Sequence, residues 1–216
     1  MYIHDGILRR SLKNVYFLWG RGKTTIANKL REKYGFYVYS TDEAKERHWM
    51  EVNPTDQPYM CRDYEAEYGV RSFWELPKEV IGDRERHVQA EVTPILITDL
   101  IALASQHEIV ICEGDLDYEA VIPCASHAVY LRNCGTSFDW FHRPDHEDLD
   151  SVISRTDMSA AEKETVIQNA YAAVASQESH LPDWVLYHKV HHIDWDDNTS
   201  VEKTLTDTAA YFGFVK

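Results

Sequence analysis

The sequence predicts an α/β protein of three layers, a five-stranded, mostly parallel sheet with helices on both faces. Three observations point there. Short apolar runs of strand length alternate with segments whose apolar residues recur at helical spacing. Glycines and acids gather just past the ends of those runs, where a parallel sheet collects its ligands. The 216 residues, 44% hydrophobic and 27% charged, are enough for one core. No internal repeat, low-complexity tract or linker divides them, so residues 1–216 read as a single domain.

The elements follow in order. Val15 to Trp19 is continuously apolar, as a central strand covered on both faces must be. A helix follows, with Ile26, Ala27, Leu30 and Tyr34 on one face and Gly35 as its stop. Phe36 to Ser40 form the second strand, which ends at Thr41-Asp42-Glu43. Residues 43–76 are irregular and rich in aromatic and charged side chains, so they read as an insertion. Pro77 opens a long helix carrying Val88, Val92, Ile95, Leu96 and Leu103 at helical spacing, and Pro94 is expected to kink it. The third strand, Ile109 to Cys112, ends at Glu113-Gly114, and the fourth, Ala128 to Leu131, ends at Arg132. A polar segment, 138–157, precedes a helix that begins near Ser159. The last strand is expected within 185–193, and Val201, Leu205 and Phe212 mark a closing helix.

Net charge is −14, with 36 acids against 22 bases, which argues against a nucleic-acid polymer as partner. A small anion can still be held locally by backbone N–H groups, a lysine and a metal. No run approaches the ~20 apolar residues that span a bilayer, and the first residues lack the apolar core of a signal peptide. Cys61, Cys112, Cys124 and Cys134 show no paired-motif spacing. The expectation is a cytoplasmic protein with no membrane partner, either a monomer or a homodimer.

The segment Gly20-Arg21-Gly22-Lys23-Thr24-Thr25 follows a buried strand and opens a helix. Glycines let the backbone approach phosphate oxygens, and a lysine reaches the β- and γ-phosphates. A threonine hydroxyl suits Mg²⁺, and a helix N-terminus adds its dipole. The six residues are therefore candidates for holding ATP, with Lys23 also catalytic and Thr24 on the metal. The full pattern G-x-x-x-x-G-K-[ST] is not met: its first glycine would fall at Phe17, so the loop is three residues short. Because Lys23, Thr24, Asp42 and Glu113 are all kept around it, the natural protein is expected to carry a longer loop between Trp19 and Gly22. A strand–turn–helix that happens to contain Gly-Lys-Thr is the plainer alternative.

With these residues the chain resembles the adenylate-kinase-like, nucleoside-monophosphate-kinase-type P-loop kinases. VYFLWG…GKTTIANKLREKYGFYVYSTDE, residues 15–43, carries most of the likeness, and VICEG (110–114) and FHRP (141–144) carry a weaker share. It is most similar to bacterial AAA-family ATPase and cytidylate-kinase-like proteins. More distant likenesses are chloramphenicol phosphotransferase, gluconate kinase and shikimate kinase. The resemblance implies a P-loop NTPase fold, ATP and Mg²⁺ as cofactors, an acceptor-binding insertion at 43–76 and a lid at 138–157. It implies Asp42 beside the acceptor hydroxyl, where a carboxylate can orient the nucleophile and take its proton. Glu113 would hold Mg²⁺ through water or touch the acceptor, with Asp115 able to share the task. Arg143 would be the lid arginine that neutralises the transferring group, and Arg132 and Arg155 are further candidates.

Each has a plainer alternative. Asp42 can be a helix N-cap, Glu113 a solvated strand end, and an arginine a surface charge. His188, His191, His192, Asp194 and Asp196 invite a metal reading, but alternation on a terminal strand fits a solvated edge better. Tyr59, Tyr64, Tyr68, Phe73 and Trp74, with Arg47, Arg62 and Arg71, can stack on an aromatic or anionic acceptor, or simply pack the insertion. The leading expectation is an ATP-dependent phosphotransferase acting on a small-molecule or nucleotide acceptor. A degenerate nucleotide-binding protein without transfer, favoured by the short loop, and a nucleotide hydrolase are the rivals.

Overall fold

The computed structural model describes residues 5–135, 152–175 and 181–215. Five strands form one sheet: β1 (Val15–Gly20), β2 (Tyr37–Ser40), β3 (Val110–Glu113), β4 (His127–Asn133) and β5 (His191–Trp195). Their spatial order is β2-β3-β1-β4-β5, and every neighbouring pair is parallel. β1 is therefore central, and its apolar sequence follows from that position, since both its faces are covered.

Side chains alternate across the sheet into two cores. On one face Phe17, Trp19, Tyr39, Val110, Cys112 and Tyr130 meet helix α1 (Asp5–Ser11) through Leu8. The same face meets α5 (Lys78–Ala104), which follows the short insertion helix α4 (Tyr64–Tyr68), through Val88, Val92, Leu96 and Leu100. On the other face Leu18, Ile111, Val129, Leu131 and Ile193 meet α2 (Lys23–Tyr34) through Ile26, Ala27 and Leu30. The helix Val201–Tyr211 adds Leu205 and Ala209 there. Helices on both faces of one parallel sheet are the three layers that the sequence predicts.

Two details differ from expectation and two refine it. Residues just past β2 are helical, forming α3 (Thr41–Trp49), because Ser40 can serve as N-cap and no proline intervenes before Pro54. The first helix, α1, carries no sequence signal strong enough to have been read. α5 runs unbroken through Pro94, which stands on the exposed side of the helix, where its missing N–H leaves no buried carbonyl bare. The last strand begins inside the expected window, at His191, and runs two residues past it to Trp195. Pro182 caps a short helix, Asp183–Tyr187, and Lys189 turns the chain at φ 54 before β5.

α5 is long and apolar enough to cross a membrane by length and composition, and its apolar face is buried against the sheet. The insertion is pinned to the same helix. The Glu91 carboxylate accepts the N–H groups of Tyr59 and Met60 at 2.9 Å each, and His87 stacks on the Tyr59 ring.

Candidate functional site at the carboxyl edge of the sheet

β1 ends at Gly20 and α2 begins at Lys23, so only Arg21 and Gly22 link them. The turn is tight enough to demand glycine. Gly20 has φ +84, and a Cβ there would lie 2.1 Å from the Leu131 carbonyl oxygen. That carbonyl accepts the Arg21 N–H at 2.9 Å, and the Arg21 carbonyl accepts the indole N–H of Trp195 at 3.0 Å. Gly22, at φ +82, is the N-cap, and its carbonyl accepts the Ile26 N–H at 3.0 Å. No side chain caps α2, so its first-turn N–H groups, with Lys23, Thr24 and Thr25, open toward the sheet edge. The wrap of a full-length phosphate loop is absent here. A two-residue link has too few peptides to encircle a phosphate, and Arg21 has both its N–H and its carbonyl engaged, in two different peptides.

Beside this turn lies a buried carboxylate. Glu113, ending β3, is 2% exposed and accepts the Thr24 hydroxyl at 2.9 Å. Ser40 stands level with it on β2, and its side chain favours the charged form of the carboxyl. Burial pushes the Glu113 carboxyl above its ordinary range, against the opposing pull of Ser40, Thr24 and Lys23. Hence Glu113 is no solvated strand end. Gly114 then turns at φ +116, and a Cβ on it would meet Thr41 Oγ1 at 1.9 Å. This close approach brings the segment after β3 against the start of α3.

That contact assembles further charges. Asp42 lies in the first turn of α3, with Ser40 rather than Asp42 at the N-cap, so the capping alternative is set aside. Asp42 is exposed, 3.7 Å from Lys45 one turn on, and its charge adds to the upward shift of the Glu113 carboxyl. Asp115 accepts the Tyr118 hydroxyl at 2.7 Å. Burial opposes its ionisation, yet Lys23, Tyr118, Lys45 and Arg21 together outweigh burial and hold the carboxyl below its ordinary range. With its amide turned so that both atoms find partners, Gln89 of α5 donates to the Asp115 carbonyl at 3.2 Å and accepts from Lys45 at 3.0 Å. Lys45, Gln89, Tyr118 and Trp195 are the participants that sequence reasoning missed. Lys45 had a usable signal, three residues past Asp42 on a helix, whereas the others come from distant segments.

The hard oxygens of Glu113 and Thr24 suit a small divalent cation such as Mg²⁺. Among the described residues no three His, Cys, Asp or Glu side chains converge as a metal cage. A cation here would therefore share its coordination between these two oxygens, ligand phosphates and water.

Other candidates fall elsewhere. Arg143 and most of the lid segment lie outside the described residues. Arg132 pairs with Asp194 of β5 through two bonds, one of 2.8 Å from Nε. Arg155 joins Glu75 at 2.7 Å and Asp157 at 3.0 Å, tying the segment before the helix Ala160–Ala175 to the insertion. Both arginines are thus occupied by structural pairs. His191 stacks on Tyr211, and Asp196 accepts the N–H of Asn198 and the hydroxyl of Thr199, which leaves no histidine–aspartate metal cluster among the described residues. In the insertion, Tyr64 and Phe73 pack with Leu76 and Ile81, and Arg84 lies over the Phe73 and Trp49 rings. These aromatics pack the insertion rather than stand open for a ring.

No family model matches the chain, and no curated protein matches it. Among solved structures it is similar to an unliganded sugar kinase from Janibacter sp., at 14% identity and a TM-score of 0.36, with 92% of this chain and 93% of that one covered. A likeness of that degree carries no weight for function, which rests on the site itself.

Proposed function

We propose that the protein is a kinase-type phosphotransferase that binds MgATP at the β1–α2 turn and phosphorylates a small acceptor. The observation that carries this reading is the bond between Thr24 and the buried Glu113, beside Lys23 and the uncapped N-terminus of α2. A carboxylate buried at that cost, and in an unfavourable state without a cation, has a physical reason to be there if a metal–phosphate complex arrives to neutralise it. Lys23 and the first-turn N–H groups hold the donor phosphates. Thr24 and Glu113 hold the cation, whose chemistry is to neutralise charge across the phosphates. The acceptor lies between α3 and the segment after β3, with Asp42 orienting its hydroxyl. In the transfer, the acceptor oxygen forms a bond to the γ-phosphorus and the bond from that phosphorus to the β–γ bridging oxygen breaks. The electron pair leaves with ADP, and the hydroxyl proton passes to Asp42.

The test begins with Lys23→Ala. It is expected to weaken MgATP binding by about 10- to 150-fold, the worth of a charge-assisted hydrogen bond of roughly 1.5–3 kcal/mol, without lowering the melting temperature. Equal affinity in calorimetry removes the donor site. Transfer from γ-labelled ATP to a small-molecule extract then separates a kinase from a second reading, nucleotide binding without transfer. The engaged Arg21 peptide favours that second reading, because it withdraws one N–H from the phosphates.

A further inference from the structure

Trp195 reaches the β1–α2 turn from the end of β5. Its indole N–H donates to the Arg21 carbonyl at 3.0 Å, and its ring lies 3.6 Å from where a Cβ on Gly22 would sit. No described peptide bond is cis. In a trans peptide the C=O and N–H point in opposite directions, so a carbonyl held toward Trp195 aims the Gly22 N–H away from it. The sheet order decides what lies on that side. β5 stands two strands from β1 in one direction, and β3, which ends at Glu113, is the next strand in the other. The Gly22 N–H accordingly faces the side where Lys23, Thr24 and Glu113 converge.

We infer that Trp195 is a positioning residue for the donor phosphates, holding the Arg21–Gly22 peptide so that the Gly22 N–H is presented to a phosphate oxygen. The inference rests on the MgATP reading above. It also accounts for how so short a turn could bind. A full-length loop orients its N–H groups by wrapping on itself, but here the Arg21 N–H is engaged by Leu131 and only two residues separate strand from helix. A side chain from another strand supplies the missing constraint. Trp195 is well anchored for that task. Its carbonyl accepts the Cys134 N–H at 2.7 Å, and the turn that follows is closed by the Asp196 carboxylate on Thr199 Oγ1 at 2.7 Å. The ring covers Gly22, so the turn can shift little without losing that contact.

The probes are inorganic tripolyphosphate, which has no base or sugar, and MgATP. In Trp195→Phe, which keeps a ring over Gly22 but loses the donor, affinity for both is expected to fall by the same factor, about five- to tenfold, equivalent to about 1–1.4 kcal/mol. In ¹⁵N-labelled protein, the Gly22 amide resonance is expected to move downfield as tripolyphosphate is added to wild type and to move less at saturation in W195F, a difference that a merely structural tryptophan would not produce. If wild type binds but W195F binds equally or more tightly, or if the Gly22 resonance stays put at saturation, the inference fails and the donor site stands. If wild type binds neither probe, both fall.

Discussion

Replacing Glu113 by glutamine separates the cost of burying a carboxylate from its use. Glutamine keeps the volume and an oxygen to accept the Thr24 hydroxyl, now at 2.9 Å, and the Thr24 and Ser40 hydroxyls can rotate to suit it. Shape is retained and only the charge goes. Because burial raises the Glu113 pKa, the folded state binds this proton more tightly than the unfolded chain does. Its contribution to stability is therefore fully present below the ordinary value of 4.5 and is lost as pH rises through the folded value. Wild type should lose stability relative to Glu113→Gln as pH climbs above 4.5, so that without metal the variant is at least as stable once the carboxyl has ionised. Function should move the other way. Losing one charge-assisted contact of roughly 1.5–3 kcal/mol raises the Mg²⁺ needed for half-maximal ATP binding by about 10- to 150-fold. Urea melts across that pH range with chelator present, and calorimetric Mg²⁺ titrations, measure the two effects. A variant less stable than wild type by more than about 1 kcal/mol near neutrality would refute the reasoning, since burial would not then dominate. An unchanged Mg²⁺ requirement would remove Glu113 from the cation site.

Two further substitutions probe the walls of the cleft. Gly114→Ala is expected to cost roughly 3 kcal/mol of stability, from strain at φ +116 and a Cβ 1.9 Å from Thr41 Oγ1. Adding Thr41→Ala should recover part of that loss in denaturant melts, and no recovery would mean that the contact is not the cause. Asp42→Asn should leave MgATP affinity unchanged while slowing transfer by about 10²–10⁴-fold. A changed melting curve with unchanged transfer would instead make Asp42 a helix-start residue only.

Much of the fold was legible because it depends on local pattern. The continuous apolar run of Val15 to Trp19 could only be a strand covered on both faces, and it is the central one. Gly35 closes α2 in the left-handed conformation, as a stop glycine should. Lys23, Thr24 and Glu113 could be singled out as candidates, since each stands at the end of a readable strand or the start of a readable helix. Which part of residues 185–193 would be strand was not legible, because Val185 satisfies a strand pattern and a one-turn helix equally well, and the helix after Pro182 takes it.

By itself the sequence determined the alternation of strands and helices, the residues gathered at their ends and a loop too short to wrap a phosphate. Those are consequences of spacing and residue type, which act over a few neighbours. The tertiary structure alone decided which of those residues meet. It decided that Glu113 is buried against Thr24, 89 positions away in the chain, and that Arg132 and Arg155 are occupied by Asp194, Glu75 and Asp157. It also brought Trp195 from the end of the chain onto the Arg21 carbonyl, 174 positions earlier. Contacts of that separation are set by strand order and by how closely backbones approach at Gly20 and Gly114, and neither quantity is written in any local stretch of residues.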